Sequence, residues 1–127
     1  MTENEIGTQV VDAALGIHRA LGPGLLETVY EIVLAGDLRR RGFTVEQQVP
    51  IPISYNGIHF TQGFRADLLV GGNVIIELKS TEHLHNSHKK QLLTYLRLSG
   101  KKLGYVLNFG VPMFKDGISR TVNELAG

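Results

Sequence analysis

Two carboxylates and a lysine stand on segments that otherwise read as buried. In residues 64–80, FRADLLVGGNVIIELKS, Asp67 precedes a short apolar run, Gly71-Gly72-Asn73 turns the chain, and a second apolar run leads into Glu77-Leu78-Lys79. If that turn closes a hairpin with Val70 opposite Val74, counting back puts Asp67 opposite Glu77 and Arg65 opposite Lys79. Opposed residues share a face of the sheet with Cβ atoms about 5 Å apart, so two acids placed there repel each other and call for a cation between them. Residues two apart on a strand point the same way, which sets Lys79 beside Glu77. Such a pair of acids is an oxygen-ligand site suited to Mg²⁺ or Mn²⁺. A lysine next to it can orient a water or stabilise negative charge developing on a phosphoryl group. A salt-bridge ladder on a wet sheet face would explain the charges equally well. Against that stand DLLV and NVIIEL, which are apolar on both faces except at these residues.

The elements that must hold these groups follow from periodicity. From Val45 to Tyr55 the pattern alternates, and Pro50 and Pro52 place this strand at a sheet edge, where it is either blunted or meets a second subunit in a homodimer. Asn56-Gly57 is a two-residue hairpin signal, returning the chain through Ile58 to Val70. With Tyr55 opposite Ile58, the count places Glu46 opposite Asp67 and Gln48 opposite Arg65, so Glu46, Gln48 and Arg65 extend the constellation. The prolines invite a bulge that would shift this register.

Before the strands, Thr2 and Glu5 have capping-box spacing and Ile6, Val10, Ala13, Ile17 and Leu21 recur at helical spacing. Gly22-Pro23-Gly24 breaks that helix, and a second apolar-rich one runs from about Leu25 to Arg41 with Gly42 as its stop. After the third strand, HNSHKKQLLTYLRLSG reads as a helix capped by Asn86 or Ser87 and ended by Gly100, and LGYVLNF as a buried strand. The predicted order is α-α-β-β-β-α-β. A strand reached through a crossover helix lies parallel to the one it left, which gives an α/β (α+β) fold: helices packed on a central four-stranded mixed sheet, in a single domain over residues 1–127.

Composition narrows the chemistry. The chain has 127 residues, 43% of them hydrophobic and 20% charged, enough for one ordinary core. It has no cysteine, so thiol nucleophiles, disulfides and thiolate zinc sites are excluded. No apolar run approaches membrane-span length and the N-terminus lacks signal-peptide character, so a soluble, cytoplasmic protein without a membrane partner is expected. A net charge of +1 announces no overall nucleic-acid field; basic clusters at Arg39–Arg41, Lys89-Lys90 and Lys101-Lys102 are local. His83, His85 and His88 suggest zinc by residue type, but their spacing matches neither an i, i+4 helical pair nor a finger.

Asp67-x9-Glu77-Leu78-Lys79 resembles the PD-(D/E)xK motif of the restriction-endonuclease-like nuclease superfamily, and the element order resembles that superfamily's core. GLLETVYE adds to it: Gly24, Glu27 and Tyr30 reproduce the GxxExxY signature of a small group assigned to the same superfamily. The likeness covers roughly residues 17–122. It implies Asp67 and Glu77 as metal ligands, Lys79 as the catalytic lysine, Glu27 as a further helical acid on the metal, and Mg²⁺ or Mn²⁺ as cofactor. Gln91 and Tyr95 are similar to a Q-x3-Y pair of exonuclease-like branches; with His88 one turn ahead and Tyr30 on the signature helix, these are the expected substrate contacts. The sequence departs from the motif at Ala66, where the name has a proline that is not a ligand.

The resemblance implies a metal-dependent nuclease cleaving phosphodiester bonds, with DNA ahead of RNA as partner. The rival reading is a non-catalytic binding module that keeps the nuclease fold within a larger assembly. It is motivated by the small size, the near-neutral charge and the lack of an appended specificity domain in these residues.

Overall fold

The structure, a computed structural model, describes residues 1–125; Ala126 and Gly127, the end of the expected domain, lie outside the described residues. Helix α1 (Glu3–Leu21) opens with the expected capping box, the Thr2 hydroxyl accepting from the Glu5 N–H and the Glu5 carboxylate from the Thr2 N–H. Helix α2 (Glu27–Arg40) has no side-chain cap at its start. Buried Tyr30 pins the loop before the helix: its hydroxyl accepts from the Leu25 N–H at 3.1 Å and donates to the Gly22 carbonyl at 2.6 Å, while its ring stacks on Phe109 at 4.3 Å.

The strands are β1 (Val45–Tyr55), β2 (Ile58–Val70), β3 (Val74–Lys79), β4 (Leu103–Asn108) and β5 (Ile118–Val122), with α3 (Asn86–Ser99) between β3 and β4. They form one sheet in the order β1-β2-β3-β4-β5. β3 and β4 are parallel, as the crossover requires, and the other neighbours are antiparallel. α1 and α2 bury Val10, Leu34 and Leu38 against Leu68, Ile76 and Leu107 on one face. On the other face, α3 buries Leu92 and Leu96 against Ile75, Val106, Phe64 and Ile51. Among the described residues, no helix is long and apolar enough to cross a membrane.

Three expectations are corrected. The sheet has five strands, because Ile118–Val122 pairs with β4; this edge strand is short and half exposed and carries no strong apolar pattern. The α3 cap is His85, whose Nδ1 accepts from the Ser87 N–H, and not Asn86 or Ser87.

The third correction matters most for function. Near the hairpin tip Tyr55 faces Ile58 and Ile53 faces Phe60, but beyond the tip Ile51 faces Phe64, so Thr61, Gln62 and Gly63 stand against Pro52 alone. Proline has no N–H to continue the ladder, and Gly63 has no Cβ where Ile53 folds over it: an added methyl would sit 2.4 Å from that side chain. The slip of two residues keeps every side chain on its face but changes its partner. Glu46 therefore lies across from Leu69 and Pro50 across from Arg65, leaving Gln48 in line with Asp67.

Candidate active site

The Gly71-Gly72-Asn73 turn closes as expected, with φ of 61° and 73° at its glycines and Val70 facing Val74. The β2–β3 ladder continues only to Leu68 and Ile76. At the next step the Asp67 carboxylate, through Oδ2, accepts the Leu78 N–H at 2.7 Å, so a side chain takes a backbone donor where the two strands part. β3 stays in register with β4 to its end, Lys79 facing Asn108. Asn108, fully buried, ties down the following turn: its amide oxygen accepts from the Thr81 and Gly110 N–H groups and its nitrogen donates to the Thr81 carbonyl, each at 3.0 Å. The Ser80 hydroxyl, donating to the Leu25 carbonyl at 2.6 Å, fixes the end of β3 to the loop that starts α2. The motif strand and the GxxExxY helix are thereby held together.

Asp67, Glu77 and Lys79 are all half-buried. Glu77 lies two residues from Ile75 on the face covered by α3, and its Oε1 is buried with no hydrogen-bond partner. Burial, and next the charge of Asp67 beside it, pushes the Glu77 carboxyl up to about 8, with Lys79 opposing. Among the described residues Lys79 is in no salt bridge. A buried carboxylate oxygen without a donor, next to a second carboxylate, is the environment that a hard divalent cation relieves.

Two helices complete the surroundings. On α3, the phenol of Tyr95 is pushed upward by burial and by the charge of Glu77, and its ring stacks on Phe64 at 3.8 Å. His88 is pulled below its usual range by burial, then by the charges of Lys79 and His85, with Glu27 acting the other way. His88 therefore lies within electrostatic reach of both Lys79 and Glu27. Gln91 is exposed on α3. On α2, Glu31 accepts from Gln48 Nε2 at 2.7 Å and from Gln47 Nε2 at 3.2 Å, and Gln48 Nε2 also donates to Asp67 Oδ1 at 3.2 Å. Gln48 adopts φ of 52°, a left-handed conformation uncommon for a side-chain-bearing residue, at the point where its amide joins the two acids.

The structure thus brings together Asp67, Glu77, Lys79, Tyr95, His88 and Gln48, and adds Glu31, one turn after Glu27 on α2. Glu27 is exposed at the start of α2, and among the described residues no three Asp, Glu or His side chains stand close enough together to hold a metal ion. Two carboxylates nevertheless fit Mg²⁺, which keeps several waters and takes one or two carboxylates plus substrate phosphate. Glu46 and Arg65 are exposed and lie across from Leu69 and Pro50, away from the acids' partners. Tyr30, expected to touch substrate, is fully buried with its hydroxyl engaged twice. Tyr30→Phe is expected to cost about 1–2 kcal/mol in unfolding free energy, by leaving the Leu25 N–H and the Gly22 carbonyl short of a partner, without changing the affinity for a substrate.

No curated protein and no solved structure matches the chain. A sequence model of the PD-(D/E)XK nuclease superfamily does match, over residues 4–121 and hence across α1 from its second residue, α2, α3 and all the motif residues. With opposed acids and a lysine at the end of β3 in the matching fold, the chain belongs to the PD-(D/E)XK nuclease superfamily.

Proposed function

We propose that this chain is a divalent-metal-dependent nuclease that hydrolyses phosphodiester bonds of nucleic acid, DNA being the expected substrate and the cytoplasm its place of work. The observation that carries the reading is the buried, partnerless Oε1 of Glu77 beside Asp67, with Lys79 in no salt bridge among the described residues.

Asp67 and Glu77 would hold Mg²⁺ or Mn²⁺, which supplies positive charge to a phosphate oxygen and acidifies a water. Lys79 orients that water or stabilises the oxyanion left on phosphorus. Gln48, bonded to Glu31 and Asp67, keeps the Asp67 carboxylate turned toward β3. His88, whose imidazole is pulled down by burial and by Lys79, can hydrogen-bond a phosphate oxygen from the α3 side, with Gln91 and Tyr95 further along the helix.

Thermal unfolding of wild type and Asp67→Asn, each with and without Mn²⁺, tests the metal site. A ligand that binds only the folded state stabilises it by about 2.7 kcal/mol at a hundred times its Kd. Stabilisation of wild type alone is the expected result; equal shifts in both proteins place the ion elsewhere. The rival reading is a non-catalytic binding module that keeps the nuclease fold. It requires a partner that still binds Asp67→Asn protein in a chain that cleaves nothing.

A further inference from the structure

The outer end of the β1–β2 hairpin stands away from the rest of the sheet. β3 pairs with β2 only at Leu68–Val70, yet β1 and β2 run on together to Tyr55 and Ile58. Every residue from Ile58 to Gly63 is exposed. Cross-strand partners share a face, and the bulge shifts the register by two, so Ile53, Tyr55, Ile58 and Phe60 line one side of this arm, continuous with Ile51 and Phe64 in the core under α3. At the tip Tyr55 is 64%, Ile58 58% and Phe60 49% exposed. A two-stranded ribbon is only marginally stable in water, and one with an apolar side facing solvent is unfavourable unless that side is used.

Charge indicates what uses it. Residues 47–66 contain no Asp or Glu, and neither do residues 83–115, whose α3 segment carries Lys89, Lys90 and Arg97. These two acid-free stretches meet in space, because α3 packs on β1 and Tyr95 stacks on Phe64. Packed together, the arm and α3 contribute no carboxylate of their own, and the cations of α3 attract phosphate. Between Val49 and Phe64, however, there is no Lys or Arg. The tip therefore has aromatic rings to offer and no phosphate-holding cation, which suits base faces, and base faces are open only where bases are unpaired.

We propose that the β1–β2 arm is a substrate-gripping device: α3 holds the phosphates of a nucleic-acid strand leading to the site, and Tyr55 and Phe60 stack on unpaired bases of that strand. This rests on the nuclease reading and narrows its substrate to nucleic acid with a single-stranded segment. Phe60 precedes Asp67 by seven residues, so the tip lies about 20 Å from the acids at roughly 3.3 Å per residue. A strand must therefore run on by several nucleotides past the site to reach it.

The test uses the Asp67→Asn protein to prevent cleavage, with and without Tyr55→Ser and Phe60→Ser. Binding is read by fluorescence anisotropy on labelled single-stranded DNA of four and of twenty nucleotides and on a blunt twenty-pair duplex. The arm predicts that the tip substitutions weaken the long single strand about tenfold and leave the four-nucleotide strand and the duplex unchanged. Both side chains are exposed, so the unfolding midpoint should not move, and unequal losses across substrates separate gripping from damage to the fold. If the Asp67→Asn protein binds the long strand and the tip substitutions do not weaken it, the arm proposal is overturned and the nuclease reading stands. A sedimentation mass that falls from dimer to monomer on Tyr55→Ser and Phe60→Ser overturns it in favour of a second copy of this chain. If wild type neither binds nor cleaves any of these nucleic acids, the nuclease reading fails and the arm proposal fails with it.

Discussion

Replacing Lys79 by alanine is expected to lower the rate of nucleic-acid cleavage at saturating Mg²⁺ by about a thousandfold, equivalent to roughly 4 kcal/mol of transition-state stabilisation. The reason is position. Lys79 ends β3 two residues beyond Glu77 on the same face, and among the described residues it is in no salt bridge, so its ammonium is available to a water or an oxyanion at phosphorus. Its removal leaves the β3–β4 pairing and the Asn108 clamp intact, so the unfolding midpoint should stay within a few degrees. Asp67→Asn should abolish cleavage to a similar degree by removing a metal ligand, while the Asn oxygen can still accept the Leu78 N–H. Purified Lys79→Ala protein that cleaves as fast as wild type would show that the activity belongs to a contaminant or to another site.

A second large effect concerns pH. With its carboxyl raised from an ordinary 4.5 to about 8 by burial and then by Asp67, Glu77 keeps its proton in the folded, metal-free protein where the unfolded chain has lost it. Below pH 4.5 both states are protonated and the group costs nothing; from there to about pH 8 each unit of rising pH favours the unfolded chain, and above that the cost is constant. The limit is 1.36 kcal/mol per unit, and solvent access and the neighbouring charges reduce the sum to about 2–3 kcal/mol. Unfolding by urea at pH 5 and pH 8 should therefore show wild type losing that much stability relative to Glu77→Gln, which has no proton to lose. Parallel pH profiles for the two proteins would disprove the perturbation. Metal binding needs the ionised carboxylate, so Mn²⁺ should release a proton on binding at pH 7 and bind more tightly as pH rises toward 8, a release that calorimetry in buffers of different ionisation heat reads directly.

Much of the site was legible because strands count in twos. One glycine turn at residues 71–73 is enough to set Asp67 against Glu77 and to put Lys79 on their face, and the structure keeps that alignment although the ladder itself stops one step short. The second hairpin defeated the same counting. Its tip register is the expected one, but the bulge opposite Pro52 exchanges Glu46 for Gln48 at the position in line with Asp67. An acid would have added a third negative charge there; the amide instead donates to two acids. Tyr30 is the opposite case. Its residue type and motif position suggest a ligand contact, whereas packing sends it inward to hold the loop before α2.

Local pattern alone determined the helices, the first four strands, the parallel crossover and the Asp67–Glu77–Lys79 constellation, since these depend on periodicities of 2 and 3.6 residues and on turns only a few residues long. Tertiary structure alone decided what depends on distant segments. It brought Glu31 within a hydrogen bond of Gln48, 17 residues later; it tied Ser80 to Leu25, 55 residues earlier; and it buried one oxygen of Glu77 under α3. Burial is a property of everything packed around an atom, and no single stretch of the chain encodes it. For that reason the sequence could name the acids, while only the fold could give Glu77 a proton to hold near neutral pH.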